Sequence, residues 1–73
     1  MLKEYVVLFI DPDEPLVLEG FLCEADDADH AEEQALDAYP RCDVVWVEEG
    51  TDWRAAQQRY FAEMDFRNIQ SAP

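Results

Sequence analysis

The N-terminal apolar segment constrains the fold more than any other part of the chain. From Leu2 to Asp11, β-branched and aromatic residues dominate, and the apolar side chains fall on both faces of an extended strand. This pattern is typical of a central strand that is covered on at least one side. The following residues, Asp11-Pro12-Asp13-Glu14-Pro15, predict a turn, because proline fixes φ and aspartate bonds nearby backbone groups. A returning strand from Leu16 to Glu24 completes a β-hairpin.

A helix is predicted after the hairpin, within the stretch from Ala25 to Pro40. Either Asp26 or Asp27 supplies the N-cap, and Pro40 ends the helix at or just before itself. The face expected to contact the core has the i, i+3, i+4 spacing of an amphipathic helix and consists of Ala28, Ala31, Ala35, Leu36 and Tyr39.

The last part of the chain predicts a strand and a second helix. The strand runs from Asp43 to Glu48, and the turn at residues 49–52 leads into a helix from about Trp53 to Met64, with Arg54 and Gln58 outward. The predicted core face of this helix consists of Trp53, Ala56, Tyr60, Phe61 and Met64. We expect one domain over residues 1–65 and a frayed tail over residues 66–73, in which Phe66 and Ile69 have the option of docking.

These elements predict an α+β fold with the order β-β-α-β-α. A hairpin followed by a right-handed crossover places the third strand beside the first and antiparallel to it. The result is a three-stranded antiparallel sheet of order 2-1-3 with the first helix packed on one face. The second helix has three options: the same face, the open face, or the surface of a partner protein.

Acidic residues are concentrated in the first part of the chain. Eighteen acids against five bases give a formal net charge of −13. Between Glu4 and Pro40 there are twelve acids and no lysine or arginine, whereas Trp53 to Pro73 contains two acids and three arginines, a net of +1. A negative surface repels nucleic acid and anionic lipid and attracts basic protein surfaces. The alternative is that the charge serves solubility alone.

Catalysis is not predicted from the residue inventory. The chain has one histidine, no serine before Ser71, and two isolated glycines, so it lacks a glycine-rich loop. His30 lies at helical spacing from Asp26, Asp27 and Glu33, but a metal site would need further ligands from another element. We therefore expect a solvated histidine, no enzyme activity, no cofactor and no bound metal.

The two cysteines are predicted to be free thiols. Cys23 ends the second strand where the first helix begins, and Cys42 precedes the third strand where that helix finishes. A helix of about eleven residues, at ~1.5 Å per residue, separates the two sulfurs by more than ~10 Å. A disulfide requires Cα atoms within ~7 Å.

The first helix carries a line of carboxylates that we call the acidic ridge (Asp29, Glu33 and Asp37), flanked by Asp26 and Glu32. Like charges at i, i+4 destabilise a helix by roughly 0.2–0.5 kcal/mol per pair, and no lysine or arginine is interleaved. One interpretation is a solvated face. The other is a binding surface, since carboxylates ~6 Å apart along an axis suit arginines and lysines that otherwise hold phosphates.

In size, in charge and in the acidic stretch from Glu24 to Asp37, the chain resembles the small acidic inhibitors of phages and mobile elements. These include anti-CRISPR and anti-restriction proteins, several of which mimic nucleic acid. The resemblance implies a stoichiometric, non-catalytic inhibitor that occupies the basic nucleic-acid-binding surface of a host complex. Its expected binding surface consists of Asp26, Asp27, Asp29, Glu32, Glu33, Asp37, Asp11, Asp13 and Glu14.

The near-neutral second helix supports a different hypothesis. Trp53, Tyr60 and Phe61 would form an apolar anchor, through which a small accessory or antitoxin-like domain binds one protein partner. Both hypotheses predict a protein partner, no direct contact with nucleic acid, and a monomer or weak dimer. The longest apolar run, Tyr5 to Ile10, is shorter than the ~18 residues of a membrane span. Because the N-terminus also lacks the features of a signal peptide, we expect a cytoplasmic protein without membrane contact.

Overall fold

The chain forms three strands and two helices in the predicted order β-β-α-β-α. The computed structural model describes the backbone of residues 2–71 and the side chains of residues 2–64. The elements are β1 (Lys3–Ile10), β2 (Leu18–Ala25), α1 (Ala28–Ala38), β3 (Asp43–Glu49) and α2 (Trp53–Ser71). The predicted α+β class is confirmed.

The sheet has the predicted strand order β2-β1-β3, and both strand pairs are antiparallel. β1 is central because its side chains are apolar on both faces, and every residue from Tyr5 to Phe9 is buried. Helix α1 packs on one face and α2 packs on the opposite face. Of the three placements that the sequence leaves open for α2, the structure therefore adopts the face that α1 does not cover.

Two apolar clusters join the helices to the sheet. On the α1 face, Tyr5 and Val7 pack against Ala31 and Ala35, so the helix contributes only methyl groups to this buried cluster. The cluster on the α2 face has larger side chains and consists of Val6, Leu8 and Ala56 with Leu18, Val45, Trp46 and Tyr60 around them. Full burial of a valine or leucine side chain stabilises a fold by about 1.5–3 kcal/mol. The middle of β1 therefore stabilises both faces at once.

The predicted core face of α1 is partly wrong. Its five residues divide into two buried side chains, Ala31 and Ala35, and three exposed ones, Ala28, Leu36 and Tyr39. Successive helical residues are rotated by about 100°, so Leu36 turns away from the sheet once Ala35 faces it. Tyr39 is 46% exposed, yet its ring stacks on Phe9 with centroids 4.9 Å apart. Tyr39 therefore packs on the sheet at the C-terminal end of α1, but it is not a core residue.

A β-bulge shapes the pairing of β3 with β1. Leu8 pairs with Trp46 and Phe9 with Val44, so Val45 is an additional residue on β3. Val45 and Trp46 both join the cluster under α2, whereas Val44 joins the cluster under α1. The bulge thus turns two neighbouring β3 side chains toward α2, which gives that face its larger apolar surface.

Helix α2 begins after the predicted turn. Gly50 has a φ of +132°, which residues with a side chain rarely adopt, and its N–H donates to the Glu4 carbonyl at 2.8 Å. The Asp52 carboxylate accepts a hydrogen bond from the Ala55 N–H at 3.1 Å and so caps the helix. The helix ends at Ser71, well beyond its predicted end near Met64.

The division into a domain of residues 1–65 and a frayed tail of residues 66–73 stays a prediction. Residues 72–73, and all side chains from residue 65 onward, lie outside the described part of the structure. The expected docking of Phe66 and Ile69 falls in that part of the chain.

Candidate functional site

The acidic ridge lies on the solvent side of α1. Asp29, Glu33 and Asp37 are all exposed, and the flanking Glu32 is half-buried. The ridge faces outward because the opposite side of the helix, at Ala31 and Ala35, contacts the sheet. Within residues 2–64, no lysine or arginine forms a salt bridge with a carboxylate of α1. The ridge is therefore a row of exposed negative charge without a cationic partner in this part of the chain.

Asp27 and Asp26 have local roles at the start of α1. Of the two predicted N-caps, Asp27 is the actual one, and its carboxylate accepts a hydrogen bond from the His30 N–H at 2.8 Å. The Asp26 carboxylate lies 3.7 Å from His30 Nδ1, and the Asp26 N–H donates to the same nitrogen at 3.1 Å. Both aspartates remain exposed, so they extend the negative surface while they order the helix terminus.

His30 is more ordered than the solvated residue that we expected. Besides its contacts with Asp26, its Nε2 lies 3.5 Å from Gln34 Nε2. Gln34 Nε2 in turn donates to the Glu24 carbonyl of β2 at 2.6 Å. These contacts join the first turn of α1 to the end of β2. The sequence signal for these contacts is the i, i+4 spacing of residues 26, 30 and 34, whereas the sequence analysis relates His30 only to Asp26, Asp27 and Glu33.

The acids of the hairpin turn lie at the other end of α1. Asp11 orders this turn, because its carboxylate accepts from the Asp13 N–H at 2.9 Å and its carbonyl accepts from the Glu14 N–H at 2.9 Å. The turn follows Ile10, which pairs with Asp43 just after α1 has ended. The nine predicted binding residues therefore extend from the start of α1, along its outer side, toward the hairpin turn.

The sequence analysis missed two acids of this surface, Glu19 and Asp43. Burial raises the pKa of the Cys42 thiol, and the carboxylates of Asp11, Glu19 and Asp43 raise it further. These three carboxylates belong to the hairpin turn, β2 and β3, so the fold gathers them near the end of α1. Cys42 and Cys23 are both free, half-buried thiols, and burial also raises the pKa of Cys23. A raised pKa reduces the reactive thiolate at neutral pH.

The predicted apolar anchor is divided by the structure. Tyr60 packs into the cluster under α2, where its ring meets Trp46 edge-on with centroids 6.1 Å apart. Trp53 is 40% exposed and Phe61 is 50% exposed. The prediction that Trp53, Phe61 and Met64 are core residues of α2 is thus wrong, since Met64 is also exposed. The exposure of Trp53 and Phe61 leaves both rings accessible to a partner.

A metal site and a membrane-spanning helix are both absent from the part of the chain that the structure describes. No group of three or more His, Cys, Asp and Glu side chains among them is arranged to hold a metal ion. Neither helix, as far as it is described, combines the length and apolar character needed to cross a membrane. The chain matches no protein-family model, no curated protein and no solved structure.

Proposed function

We propose that this protein is a stoichiometric, non-catalytic inhibitor that binds the basic nucleic-acid-binding surface of a protein partner, as anti-CRISPR and anti-restriction proteins of the nucleic-acid-mimic type do. The observation that carries the proposal is the acidic ridge: exposed carboxylates at i, i+4 spacing without a lysine or arginine partner in residues 2–64. Charge of this kind destabilises an isolated helix. A basic partner removes that repulsion and gains attraction in its place.

The dimensions of the surface suit a groove that holds a nucleic-acid backbone. The ridge carboxylates are spaced by ~6 Å along the helix, from four residues at ~1.5 Å each. Because α1 contacts the sheet through Ala31 and Ala35, the side of the helix that carries the acids faces solvent. Arginines and lysines that normally contact phosphates could therefore contact successive carboxylates along one line.

The extension of the acidic surface to both ends of α1 supports the same proposal. Asp26 and Asp27 prolong the ridge at one end, and Asp11, Asp13 and Glu14 lie toward the other. Long-range attraction of this kind raises the association rate with a basic partner and weakens as salt is added. We expect the protein to act in the cytoplasm as a monomer or weak dimer.

A second candidate function is favoured by the exposure of Trp53 and Phe61. In this case, a small accessory or antitoxin-like domain would bind one protein partner through α2, and the acidity would serve solubility. Apolar docking depends little on salt, whereas ridge binding depends on it strongly.

The test is to capture partners from cells of the source organism with the tagged protein at low and at high salt. The matched control carries Asp29→Asn, Glu33→Gln and Asp37→Asn, which retain side-chain shape and remove the charge. We expect a basic protein to be captured at low salt by the natural chain only, and one molecule of inhibitor per site to displace its nucleic acid. Equal capture by the control at both salt concentrations would contradict the proposal and favour docking through α2.

A further inference from the structure

β2 is an edge strand of the sheet, so half of its backbone N–H and C=O groups point away from β1. Two hydrogen bonds show which residues these are. The Glu4 carbonyl accepts from the Gly50 N–H at 2.8 Å, so the peptide groups of Glu4 point toward β3. Glu24, directly opposite Glu4, has its carbonyl bonded to Gln34 on α1 instead of to β1. In an antiparallel strand, the N–H and C=O of one residue point the same way, and the direction alternates along the strand. The outward-pointing residues of β2 are therefore Leu18, Gly20, Leu22 and Glu24.

The same outward-pointing residues form one side of an apolar groove. Leu18, Gly20 and Leu22 lie on the α2 face of β2, and the groove consists of two depressions of about 370 and 340 Å³ that share Leu18. The helix lines the groove with residues four apart, Trp53, Gln57 and Phe61, and the end of the hairpin turn adds Pro15, Leu16 and Val17. Leu22 is 54% exposed and Leu16 is 98% exposed.

The opposite side of the β2 edge carries one carboxylate near the start of the strand. Glu19 lies on the α1 face of β2, opposite Phe9, and its carboxylate contributes to the raised pKa of Cys42 near the end of α1. A strand added beside β2 would therefore meet Leu18, Gly20 and Leu22 on one of its faces and the Glu19 carboxylate on the other.

The negative charge of the chain indicates which kind of strand can bind at the edge of β2. A second copy of the chain would bring another formal charge of −13 to a strand edge that already carries Glu19 and Glu24. Chains that carry a large net charge of the same sign repel each other. The edge therefore suits a basic segment from a different protein.

We infer that β2 is a docking strand for an extended segment of the partner in which basic and apolar residues alternate. The segment adds a fourth strand to the sheet. Its backbone bonds the outward groups of Leu18, Gly20 and Leu22, its apolar side chains enter the groove beside α2, and a lysine or arginine on its other face lies near Glu19. The inference depends on the proposed function only in that the partner is a basic protein. It specifies a second contact, separate from the acidic ridge.

The test uses a synthetic octapeptide of alternating lysine and valine, matched to the eight residues of β2. Its control has the same composition with four lysines followed by four valines, so that charge and hydrophobicity are equal and only the alternation is lost. We expect calorimetric titration to show binding at least ten times tighter for the alternating peptide. Amide exchange should slow at Leu18, Gly20 and Leu22 when this peptide is bound.

Two variants at one position separate the backbone contribution from the side-chain contribution. Leu22→Ala removes part of the groove and keeps the outward N–H, whereas Leu22→Pro removes that N–H as well, at a position where the bond to β1 is unaffected. We expect Leu22→Pro to bind the alternating peptide about tenfold more weakly than Leu22→Ala. Circular dichroism must show that both variants are folded; if Leu22→Pro is not, the same peptide N-methylated on alternate amides provides the comparison.

Two outcomes would overturn the inference. One is equal binding of both peptides with the changes confined to α1, which would indicate attraction to charge alone. The other is self-association of the protein through β2, which would make a second copy the occupant. Neither outcome affects the proposed function, because capture of the partner by the acidic ridge is measured separately. Conversely, loss of ridge-dependent capture with intact peptide binding at β2 would reject the proposed function alone.

Discussion

The two faces of the sheet carry helices that differ in both packing and charge. On one face, α1 contributes only alanine side chains to the buried cluster and leaves its carboxylates without lysine or arginine partners in residues 2–64. On the other face, α2 packs against larger side chains, and the Glu48 carboxylate accepts from Arg59 and, at 3.0 Å, from Trp46 Nε1. The α1 face thus has a small buried contact and negative charge that no basic residue balances in residues 2–64. The α2 face has a larger buried contact and an ion pair between Glu48 and Arg59. The two faces therefore differ in how much they stabilise the fold and in how much negative charge they leave without a basic partner in residues 2–64.

The largest expected effect is on the free energy of unfolding, and it tests whether the α2 face is packed more tightly than the α1 face. Leu8 is completely buried under α2, whereas Leu36 on α1 is 37% exposed. Leu8→Ala should lower the free energy of unfolding by about 2–5 kcal/mol. Leu36→Ala should lower it by less than about 1.5 kcal/mol, since much of its side chain already contacts water. Urea denaturation measures both, and a larger loss for Leu36→Ala would show that the assigned orientation of α1 is wrong.

Charge reversal of the acidic ridge is expected to have the next largest effect, on binding rather than folding. Changing Asp29, Glu33 and Asp37 together to lysine should leave the circular dichroism spectrum intact, because all three are exposed. Binding to the natural partner should weaken by at least about 3 kcal/mol at moderate salt, where the Debye length is ~8–10 Å. Surface plasmon resonance should show slower association.

The matched controls for this reversal are on α2. Reversing Arg54 or altering Gln58, which are both exposed, should change affinity much less. Normal binding by the ridge variant, together with loss of binding in a folded Trp53→Ala or Phe61→Ala protein, would instead identify the apolar anchor as the binding site.

Removal of one carboxylate charge on each face should change the free energy of unfolding by a smaller amount and with opposite signs. Glu33→Gln on α1 should be neutral or stabilise the protein by a few tenths of a kcal/mol, roughly 0.2–0.5, because it relieves repulsion along the ridge. Glu48→Gln on β3 should destabilise it by up to about 1 kcal/mol, because Glu48 loses its charge-assisted bond to Arg59. Thermal unfolding of the two variants at low and high salt measures both signs. The same sign for both would mean that the faces do not differ in charge balance.

The smallest effect concerns the thiol near the end of α1. A neighbouring carboxylate disfavours the thiolate, so Asp43→Asn should lower the pKa of Cys42 toward its ordinary value. Alkylation of Cys42 at a fixed pH near 8 should then become faster. The rate at Cys23 should not change, because burial alone raises its pKa. Mass spectrometry distinguishes the two sites, and equal acceleration at both would indicate a loosened fold rather than a local charge effect.

The topology could be predicted from the sequence because several independent patterns agreed. The two-sided apolar run of β1, the proline-containing turn and the capped helix with Pro40 at its end all require the same connections. The side-chain details were less accessible. A row of alanines allows a wide range of rotations of α1 about its axis. The sequence therefore does not show that Ala31 and Ala35 alone are buried and that Leu36 and Tyr39 are exposed.

The candidate site was only partly predictable for a related reason. Exposure of the ridge follows from helical spacing, and the structure agrees. The proximity of Glu19 and Asp43 to Cys42 depends on the sheet register and on where α1 ends, which spacing along the chain does not reveal. The groove beside α2 could not be predicted from spacing along the chain either, because Gly20 and Trp53 are brought together only by the packing of α2 on the sheet. They are so close that a Cβ added at Gly20 would lie 3.5 Å from Trp53 Cβ.

The alanine contact of α1 also has an evolutionary consequence. Only Ala31 and Ala35 of this helix are buried, so substitutions of its exposed charged residues have small effects on folding, usually within about 0.5 kcal/mol. Selection can therefore change the outer side of α1, one residue at a time, with little loss of the folded population. Under the proposed function, the acidic ridge would thus be able to follow changes in a basic partner's surface while Ala31 and Ala35 continue to hold α1 on the sheet.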